Sequence, residues 1–262
     1  MTRATWGFQN RTDIVTTESG DRVVRQEYRR RESAERRLRI MRALRGPAAE
    51  AGIVLPRVLR ADLVADPPWA ELELLPGVPV TEKGDEAVAA LATPMGELLA
   101  AFRQLPTGDL ELDDLWADPA RLADRARDWG EAIADPHERT ALANLLDGFA
   151  DLFAGRSAVL AHGDFAPMNV LTDGTAITGL IDLEDVRLAD PLFDAAWWAW
   201  SVSFSHAPAE ALPAFLDGAG LEADEERIRA LQILRMLELL NAARLSADVA
   251  RVVAERLKTT LT

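Results

Sequence analysis

The chain has 262 residues, of which 48% are hydrophobic, and it contains no cysteine. A chain of this length buries a large core, and the absence of cysteine excludes disulfides, thiolate nucleophiles and cysteine-based zinc sites. The formal net charge is −14, and residues 76–262 hold 32 acidic against 15 basic residues. This acidity disfavours nucleic acid as a partner and would attract a cationic small molecule, although solvated acidic helix faces explain the same charges equally well.

The sequence favours a location away from membranes. Its first 13 residues, MTRATWGFQNRTD, lack an apolar stretch of signal-peptide length. The most apolar later run, residues 192–204, is interrupted by Asp194 and is too short to cross a bilayer. We therefore expect no membrane partner and a cytoplasmic protein.

The first 75 residues predict a small sheet with one helix. Residues 12–17 and 21–26 flank the turn sequence Glu18-Ser19-Gly20 and predict a hairpin. The basic run from 29 to 44 predicts a helix that ends before Pro47. Two more short strands are expected at 55–59 and 69–75.

The segment Pro76-Gly77-Val78-Pro79 is the best boundary between two lobes. Two prolines and a glycine in four residues are expected to continue neither a strand nor a helix. We thus expect an amino-terminal lobe at 1–76 and a helical lobe at 77–262. Apolar residues at helical spacing predict helices at 82–104, 119–134, 138–153, 191–204, 208–219 and 224–245, the fourth of them opened by Asp190 and Pro191.

Residues 162–194, HGDFAPMNVLTDGTAITGLIDLEDVRLADPLFD, carry the clearest chemical pattern. The order of its polar residues indicates phosphoryl transfer with metal ions. That reaction depends on positioning, on neutralisation of charge by divalent metal, and on orientation of the incoming hydroxyl. Asp164 would orient the hydroxyl and take its proton, while His162 braces the loop. Asn169 and Asp182 would hold Mg²⁺, which prefers one or two protein oxygens together with phosphate and water.

The spacing of the two expected metal ligands has a structural explanation. Residues 169–171 and 176–181 surround the turn sequence Asp173-Gly174 and predict a two-stranded hairpin. A hairpin brings its ends together, so Asn169 and Asp182 should lie close in space. The alternative is that these polar residues are ordinary turn and cap residues.

This segment resembles the catalytic core of the aminoglycoside phosphotransferase and choline kinase family. The resemblance rests on the HGDxxxxN pattern, the Ile-Asp strand end and the D-P-x-x-D segment, which are here His162, Gly163, Asp164, Asn169, Ile181, Asp182, Asp190, Pro191 and Asp194. It implies an α+β, bilobal protein kinase-like fold with a small β-rich lobe and a larger helical lobe. It also implies that Asp194 holds the catalytic-loop backbone, although a plain helix-start residue is the alternative.

The resemblance further implies Mg²⁺ as cofactor and ATP as co-substrate, with GTP as an alternative. Gly7 to Asn10 is similar to the family's phosphate loop, and Arg25 stands where the family has a strand lysine. Glu35 or Glu32 on the following helix would pair with Arg25, although local pairing within the helix explains both equally well. The backbone of a hinge at residues 71–75, with Glu73 and Leu75, would meet the edge of the adenine ring. Ile181 would pack against that ring.

The acceptor site is expected in the helical lobe. Glu184, Asp185 and Glu238 are the candidates for gripping a cationic small molecule. Trp116 and Trp129 lie in the 107–137 region, which helps to form the acceptor pocket in the family that the chain resembles. The tryptophans at 197, 198 and 200 predict core packing, with an aromatic face for a sugar or nucleoside as the alternative.

The leading hypothesis is an ATP-dependent O-phosphotransferase that phosphorylates a hydroxyl of a small molecule, such as an aminoglycoside-like or other antibiotic, and so confers resistance. The alternative within the enzyme class is a metabolic kinase for choline, an aminosugar, homoserine or a nucleoside. The alternative outside it is a nucleotide-binding pseudokinase module. The retained Asp164, Asn169 and Asp182 argue against that last alternative.

Overall fold

The computed structural model describes residues 2–3, 11–242 and 245–261. The amino-terminal part forms a five-stranded antiparallel sheet in the order β1-β2-β3-β5-β4. Its strands are β1 (Thr2–Arg3), β2 (Arg11–Thr16), β3 (Arg22–Glu27), β4 (Val58–Asp62) and β5 (Trp69–Glu73). The fourth strand begins three residues later than the sequence predicts, because Pro56 lacks the N–H group that strand pairing needs.

Helix α1 (Arg31–Glu50) packs against this sheet and is longer than expected. The sequence prediction that it ends before Pro47 was wrong. Proline near the end of a helix removes only one donor, and the Pro47 carbonyl still accepts from the backbone of Ala51 at 3.0 Å. Burial of Leu44 and Ala48 then stabilises the last turns.

The segment between the two predicted lobes pairs with the hairpin that the sequence predicts at 169–181. Strand β6 (Val78–Pro79) pairs with β8 (Val170–Thr172), which in turn pairs with β9 (Ile177–Leu180). The expectation that residues 76–79 continue no strand was therefore wrong for the last two of them. The predicted hairpin itself is present, and β7 (Val159–Ala161) leads into it after pairing with β10 (Arg187–Ala189).

Helices make up most of the remaining chain. They are α2 (Asp85–Ala90), α3 (Ala92–Arg103), α4 (Pro119–Gly130), α5 (Pro136–Leu152), α6 (Phe193–Val202), α7 (Ala211–Gly218), α8 (Glu225–Asn241) and α9 (Ala247–Leu261), with short 3-10 turns at Val80–Lys83, Leu115–Ala117 and Pro167–Asn169. The larger helical part and the small sheet together give the expected α+β, kinase-like architecture. No helix within the described ranges is both long enough and apolar enough to cross a membrane.

The helix predictions differ from the structure in three respects. The single helix expected at 82–104 divides at Leu91, because Pro94 in the first turn of α3 does not allow the preceding helix to run through it. Helix α6 begins at Phe193 rather than 191, since Asp190 closes a turn by accepting the backbone N–H of Leu192 at 2.8 Å. Helix α9 was not predicted from the sequence.

Candidate active site

Residues 162–169, which carry the expected base and are called the catalytic loop below, follow β7 and are anchored from the start of α6. Asp194 is 2% exposed, and its two carboxylate oxygens accept the backbone N–H groups of His162 at 2.7 Å and Gly163 at 3.0 Å. Backbone N–H groups buried without such partners would be costly. Asp194 thus satisfies two donors in the loop that carries the expected base.

A second anchor comes from helix α8. Arg235 donates from Nη2 to the Gly163 carbonyl at 3.1 Å and to Asp185 Oδ2 at 2.8 Å. Gly163 has φ of +87°, and a side chain on it would approach the carbonyl oxygen of Asp185 to 2.0 Å. Only glycine lets the loop lie this close to the 182–185 segment.

Asp164 lies in the centre of the site with both of its carboxylate oxygens accepting hydrogen bonds. Oδ1 accepts from Trp197 Nε1 at 2.6 Å, and Oδ2 accepts from Asn169 Nδ2 at 3.0 Å. Burial raises the pKa of Asp164, the Asp182 carboxylate adds to that rise, and the guanidinium of Arg235 opposes it. A carboxylate with a raised pKa accepts a proton more readily than an ordinary one.

His162 is fully buried behind the loop. Its Nδ1 accepts the backbone N–H of Asp164 at 3.3 Å, so its Nε2 is the nitrogen that donates to the Ile181 carbonyl at 3.0 Å. The ring packs edge-on against Phe102 and Phe165. The imidazole therefore connects the catalytic loop to the strand end that carries Asp182, and its contacts are those of a brace.

Asn169 and Asp182 come together across the hairpin. The Ile181 N–H donates to the Asn169 carbonyl at 2.9 Å, which places the next residue, Asp182, beside Asn169. Asn169 uses Nδ2 to donate to Asp164, so its oxygen Oδ1 is the end that suits a cation.

This donor set fits magnesium. The described residues hold no group of three or more His, Cys, Asp or Glu side chains that would cage a metal alone. Mg²⁺ is normally held by one or two protein oxygens together with phosphate oxygens and water, and Asn169 with Asp182 would supply them. Bound there, the ion would neutralise negative charge on the phosphates.

Arg37 of α1 was not among the expected site residues, although it directly contacts the segment that is expected to bind the metal. It is 4% exposed and donates from Nη2 to Asp182 Oδ1 at 2.8 Å and from Nη1 to Glu184. These partners are about 145 residues away in the chain. No local sequence signal separates Arg37 from the other arginines of its helix.

We expect Arg37→Met to lower the free energy of unfolding by about 2 kcal/mol, because it removes the buried guanidinium that pairs with Glu184 and with the more exposed Asp182. Arg42→Met, on the exposed side of the same helix, is the control and should stay within about 0.5 kcal/mol of wild type. Urea unfolding followed by circular dichroism measures both. Equal stability of the two variants would contradict a supporting role for Arg37.

Among the expected nucleotide residues, the pairing of Arg25 with Glu35 or Glu32 was wrong. Arg25 instead faces Glu71 across the sheet at 3.3 Å, in the register that pairs β3 with β5. Glu35 pairs with Arg31 at 2.7 Å, which is the local i to i+4 alternative. Glu71 can be identified as the partner of Arg25 only when the register of β3 and β5 is known.

The other expected nucleotide residues fall in different places. Asn10 lies outside the described residues. Glu73 ends β5 and donates its backbone N–H to the Arg57 carbonyl at 2.8 Å. Leu75 is 7% exposed and lies on the segment between β5 and β6, while Ile181 is half-buried. Their contacts with a nucleotide stay predictions.

The three carboxylates expected to grip the acceptor are engaged with buried arginines. Glu184 pairs with Arg37, and burial raises the pKa of Glu184 to about 7 although Arg37 opposes the rise. Glu238 accepts from Arg187 Nη1 at 3.0 Å and also pairs with Arg235.

Asp185 pairs with Arg235 at 2.8 Å and lies 3.7 Å from Arg187. Burial alone would raise the pKa of Glu238, but Arg235 and Arg187 outweigh it and lower that pKa. The pair of acidic residues is thus balanced by a pair of basic ones. The contact of these carboxylates with an acceptor stays a prediction.

An open cleft of about 370 Å³ lies between α4 and α8. It is lined by Arg125, Asp128, Trp129, Glu238, Asn241 and Ala242. Asn241 donates from Nδ2 to the Trp129 carbonyl at 2.9 Å and joins the two helices. Glu238 is connected to the catalytic loop through Arg235, which donates to the Gly163 carbonyl.

Solved structures with the same fold cover nearly the whole chain. The GDP and kanamycin complex of APH(2")-IIia has a TM-score of 0.79 at 16% identity, covering 99% of this chain and 92% of that one. The apoenzyme of macrolide 2'-phosphotransferase MphH from Brachybacterium faecium has 0.69 at 18%, covering 100% and 91%. A thermostable mutant of APH(4)-Ia, in a ternary complex with ADP and hygromycin B, has 0.75 at 18%, covering 99% and 92%.

These similarities establish the bilobal fold that the sequence predicts. No protein of curated function matches the chain in sequence. The model of one protein family, APH, described as the phosphotransferase enzyme family, matches residues 1–231 and thus includes every element of the catalytic loop and hairpin. The chain belongs to this phosphotransferase enzyme family.

Proposed function

We propose that this chain is a Mg²⁺- and nucleotide-dependent O-phosphotransferase that phosphorylates a hydroxyl of an antibiotic in the cytoplasm. The observation that carries the proposal is the Asp164 carboxylate, held on both oxygens beside the Asn169 and Asp182 pair. Proteins of the same fold support the antibiotic acceptor, since their structures contain kanamycin with GDP or hygromycin B with ADP. The lobe boundary is proposed at residues 76 and 77.

In the proposed reaction, the acceptor hydroxyl donates its hydrogen to Asp164. The hydroxyl oxygen bonds to the terminal phosphorus of ATP or GTP while the bond from that phosphorus to the bridging oxygen breaks. The nucleoside diphosphate leaves, and the proton ends on the Asp164 carboxyl. Asn169 keeps the carboxylate in place, and His162 and Asp194 keep the loop in place.

We place the acceptor in the cleft between α4 and α8. This cleft is lined by Trp129, which is only 8% exposed, and by the exposed Asn241, and it is connected to the catalytic loop through Glu238 and Arg235. Because Glu238 and Asp185 are balanced by Arg187 and Arg235, shape and hydrogen bonding contribute more to recognition there than charge does. An acceptor with few ammonium groups fits this cleft better than a polycation.

The test begins with nucleotide binding. We expect ATP or GTP with Mg²⁺ to raise the melting temperature of the wild-type protein, because a ligand that binds only the folded state stabilises it. Asp182→Asn should reduce this rise, since it removes the carboxylate that would hold the ion. Omission of Mg²⁺ from the wild-type sample is the control. An unchanged melting temperature with both nucleotides would contradict the proposal.

The acceptor is then identified by mass spectrometry as a compound that gains one phosphoryl group. The panel contains kanamycin, hygromycin B and a macrolide, with choline, an aminosugar, homoserine and a nucleoside as metabolic comparators. We expect an antibiotic to be the best acceptor and the macrolide to exceed kanamycin. Phosphorylation of the metabolic compounds alone would replace the antibiotic proposal with a metabolic kinase.

One contact favours a second candidate, a nucleotide-binding module without transfer activity. Arg37 donates to Oδ1 of Asp182, one of the two carboxylate oxygens that could hold the metal. Nucleotide binding that is independent of Mg²⁺, with no phosphorylated product from any acceptor, would support this module. Magnesium-dependent transfer would exclude it.

A further inference from the structure

Trp197 contacts the expected base from the same helix face that anchors the catalytic loop. It follows Asp194 by three residues on α6, and residues three apart lie on one side of a helix. Asp194 is hydrogen-bonded to the loop backbone, so that side of α6 faces the loop. The indole nitrogen Nε1 of Trp197 lies 2.6 Å from Asp164 Oδ1.

The indole of Trp197 is held in place before any ligand arrives. It is 7% exposed and stacks on the Trp200 ring with a centroid distance of 4.3 Å and an interplanar angle of 10°. The guanidinium of Arg235 lies 5.5 Å from the Trp197 ring centroid. A donor restrained by its neighbours loses little entropy when it makes its hydrogen bond.

The hydrogen bond is specific to this one tryptophan of α6. The Nε1 atoms of Trp198 and Trp200 are buried and have no hydrogen-bond partner within the described part of the chain. Trp198 is fully buried and stacks on Phe215, with 4.2 Å between ring centroids. Core packing therefore explains Trp198, whereas the contact of Trp197 with a charged carboxylate calls for its own explanation.

We propose that Trp197 is a positioning residue for the base of the transfer reaction. Its N–H holds Oδ1 of Asp164 while Asn169 holds Oδ2, and two fixed donors restrict rotation of the carboxylate about the Cβ–Cγ bond. The remaining lone pairs of the Asp164 carboxylate are then held in a fixed orientation towards an incoming hydroxyl. This inference rests on the proposed function, in which Asp164 accepts the proton.

Loss of the indole N–H leaves the carboxylate held by Asn169 alone. The acceptor hydroxyl then meets the carboxylate in the productive orientation less often, and water competes better for the transferred group. A hydrogen bond to a charged group contributes enough to change the rate by roughly 10- to 100-fold. Binding of the nucleotide does not use this contact and should be unaffected.

The experiment compares Trp197→Phe with Trp198→Phe in the full chain. Both changes remove an indole from α6, but only the first removes a donor to Asp164. We expect Trp197→Phe to lower kcat by roughly 10- to 100-fold with an unchanged KM for nucleotide. The ratio of phosphorylated acceptor to nucleotide lost by hydrolysis should also fall. Trp198→Phe should keep wild-type values of that ratio.

A third variant tests the donor itself. Trp197→His keeps a ring N–H, and we expect its kcat to exceed that of Trp197→Phe at similar melting temperature. Wild-type kcat in Trp197→Phe, or an equal loss of kcat and product ratio in Trp198→Phe, would overturn the inference while leaving the proposed function intact. Absence of transfer by the wild-type protein would instead overturn the proposed function and the inference with it.

Discussion

Asp164→Asn should lower turnover by roughly 10³-fold, which is within the range that loss of a general base produces. The amide is nearly the same size as the carboxylate, but it neither accepts the hydroxyl proton nor presents two acceptor oxygens to Trp197 and Asn169. Nucleotide affinity should persist, because Asp164 is not among the groups assigned to the metal or the phosphates. Steady-state kinetics and nucleotide titration measure the two effects separately.

The matched control for this change is Asp151→Asn on the exposed surface of α5. It makes the same chemical substitution away from the catalytic loop and should leave turnover within about twofold of wild type. Turnover of Asp164→Asn above one tenth of the wild-type value would exclude Asp164 as the proton acceptor.

Gly163→Ala should disrupt both folding stability and activity. The new Cβ would lie 2.0 Å from the Asp185 carbonyl oxygen, and alanine is disfavoured at φ of +87°. Because the obstacle is backbone held by its own contacts, we expect a loss of about 4 kcal/mol in unfolding free energy. A loop displaced by about 1 Å would lower turnover by roughly 100-fold.

Gly20→Ala separates the steric contact of the new Cβ from the cost of the positive φ. Gly20 has nearly the same dihedral angle, φ of +91°, but nothing lies within 4 Å of a Cβ placed there. It should lose only about 1 kcal/mol, the cost of the left-handed conformation for alanine. Similar losses in the two variants, by chemical unfolding, would show that the contact with Asp185 contributes nothing.

Much of the fold was predictable because its signals are local. The hairpin at 170–180 follows from alternating apolar residues around an Asp-Gly turn, and it brings Asn169 next to Asp182 as expected. Helix boundaries were less predictable where they depend on the position of a proline within a helix or on a hydrogen bond to a polar side chain. Pro47 lies inside α1, and Asp190 closes a turn ahead of α6.

The charge pairs of the site were beyond sequence analysis for a different reason. Arg37 pairs with Asp182 across 145 residues, and Arg235 reaches Asp185 across 50. Each arginine belongs to a helix with several others, and only tertiary packing selects the one that turns inward. The acidic composition accordingly indicated a cation site at Glu184, Asp185 and Glu238, where the structure places internal arginines.

What the sequence determined by itself is the grouping of the expected base, the expected metal ligands and the loop anchor, because all of them lie within residues 162–194 at short spacings. What only the tertiary structure decided is the surroundings of that chemistry: the indole on Asp164, the arginine on Asp182 and the cleft between α4 and α8. The physical reason is the separation in sequence between the residues that interact. Turns and hairpins depend on neighbouring residues, whereas hydrogen bonds and ion pairs between distant helices depend on how the whole chain packs.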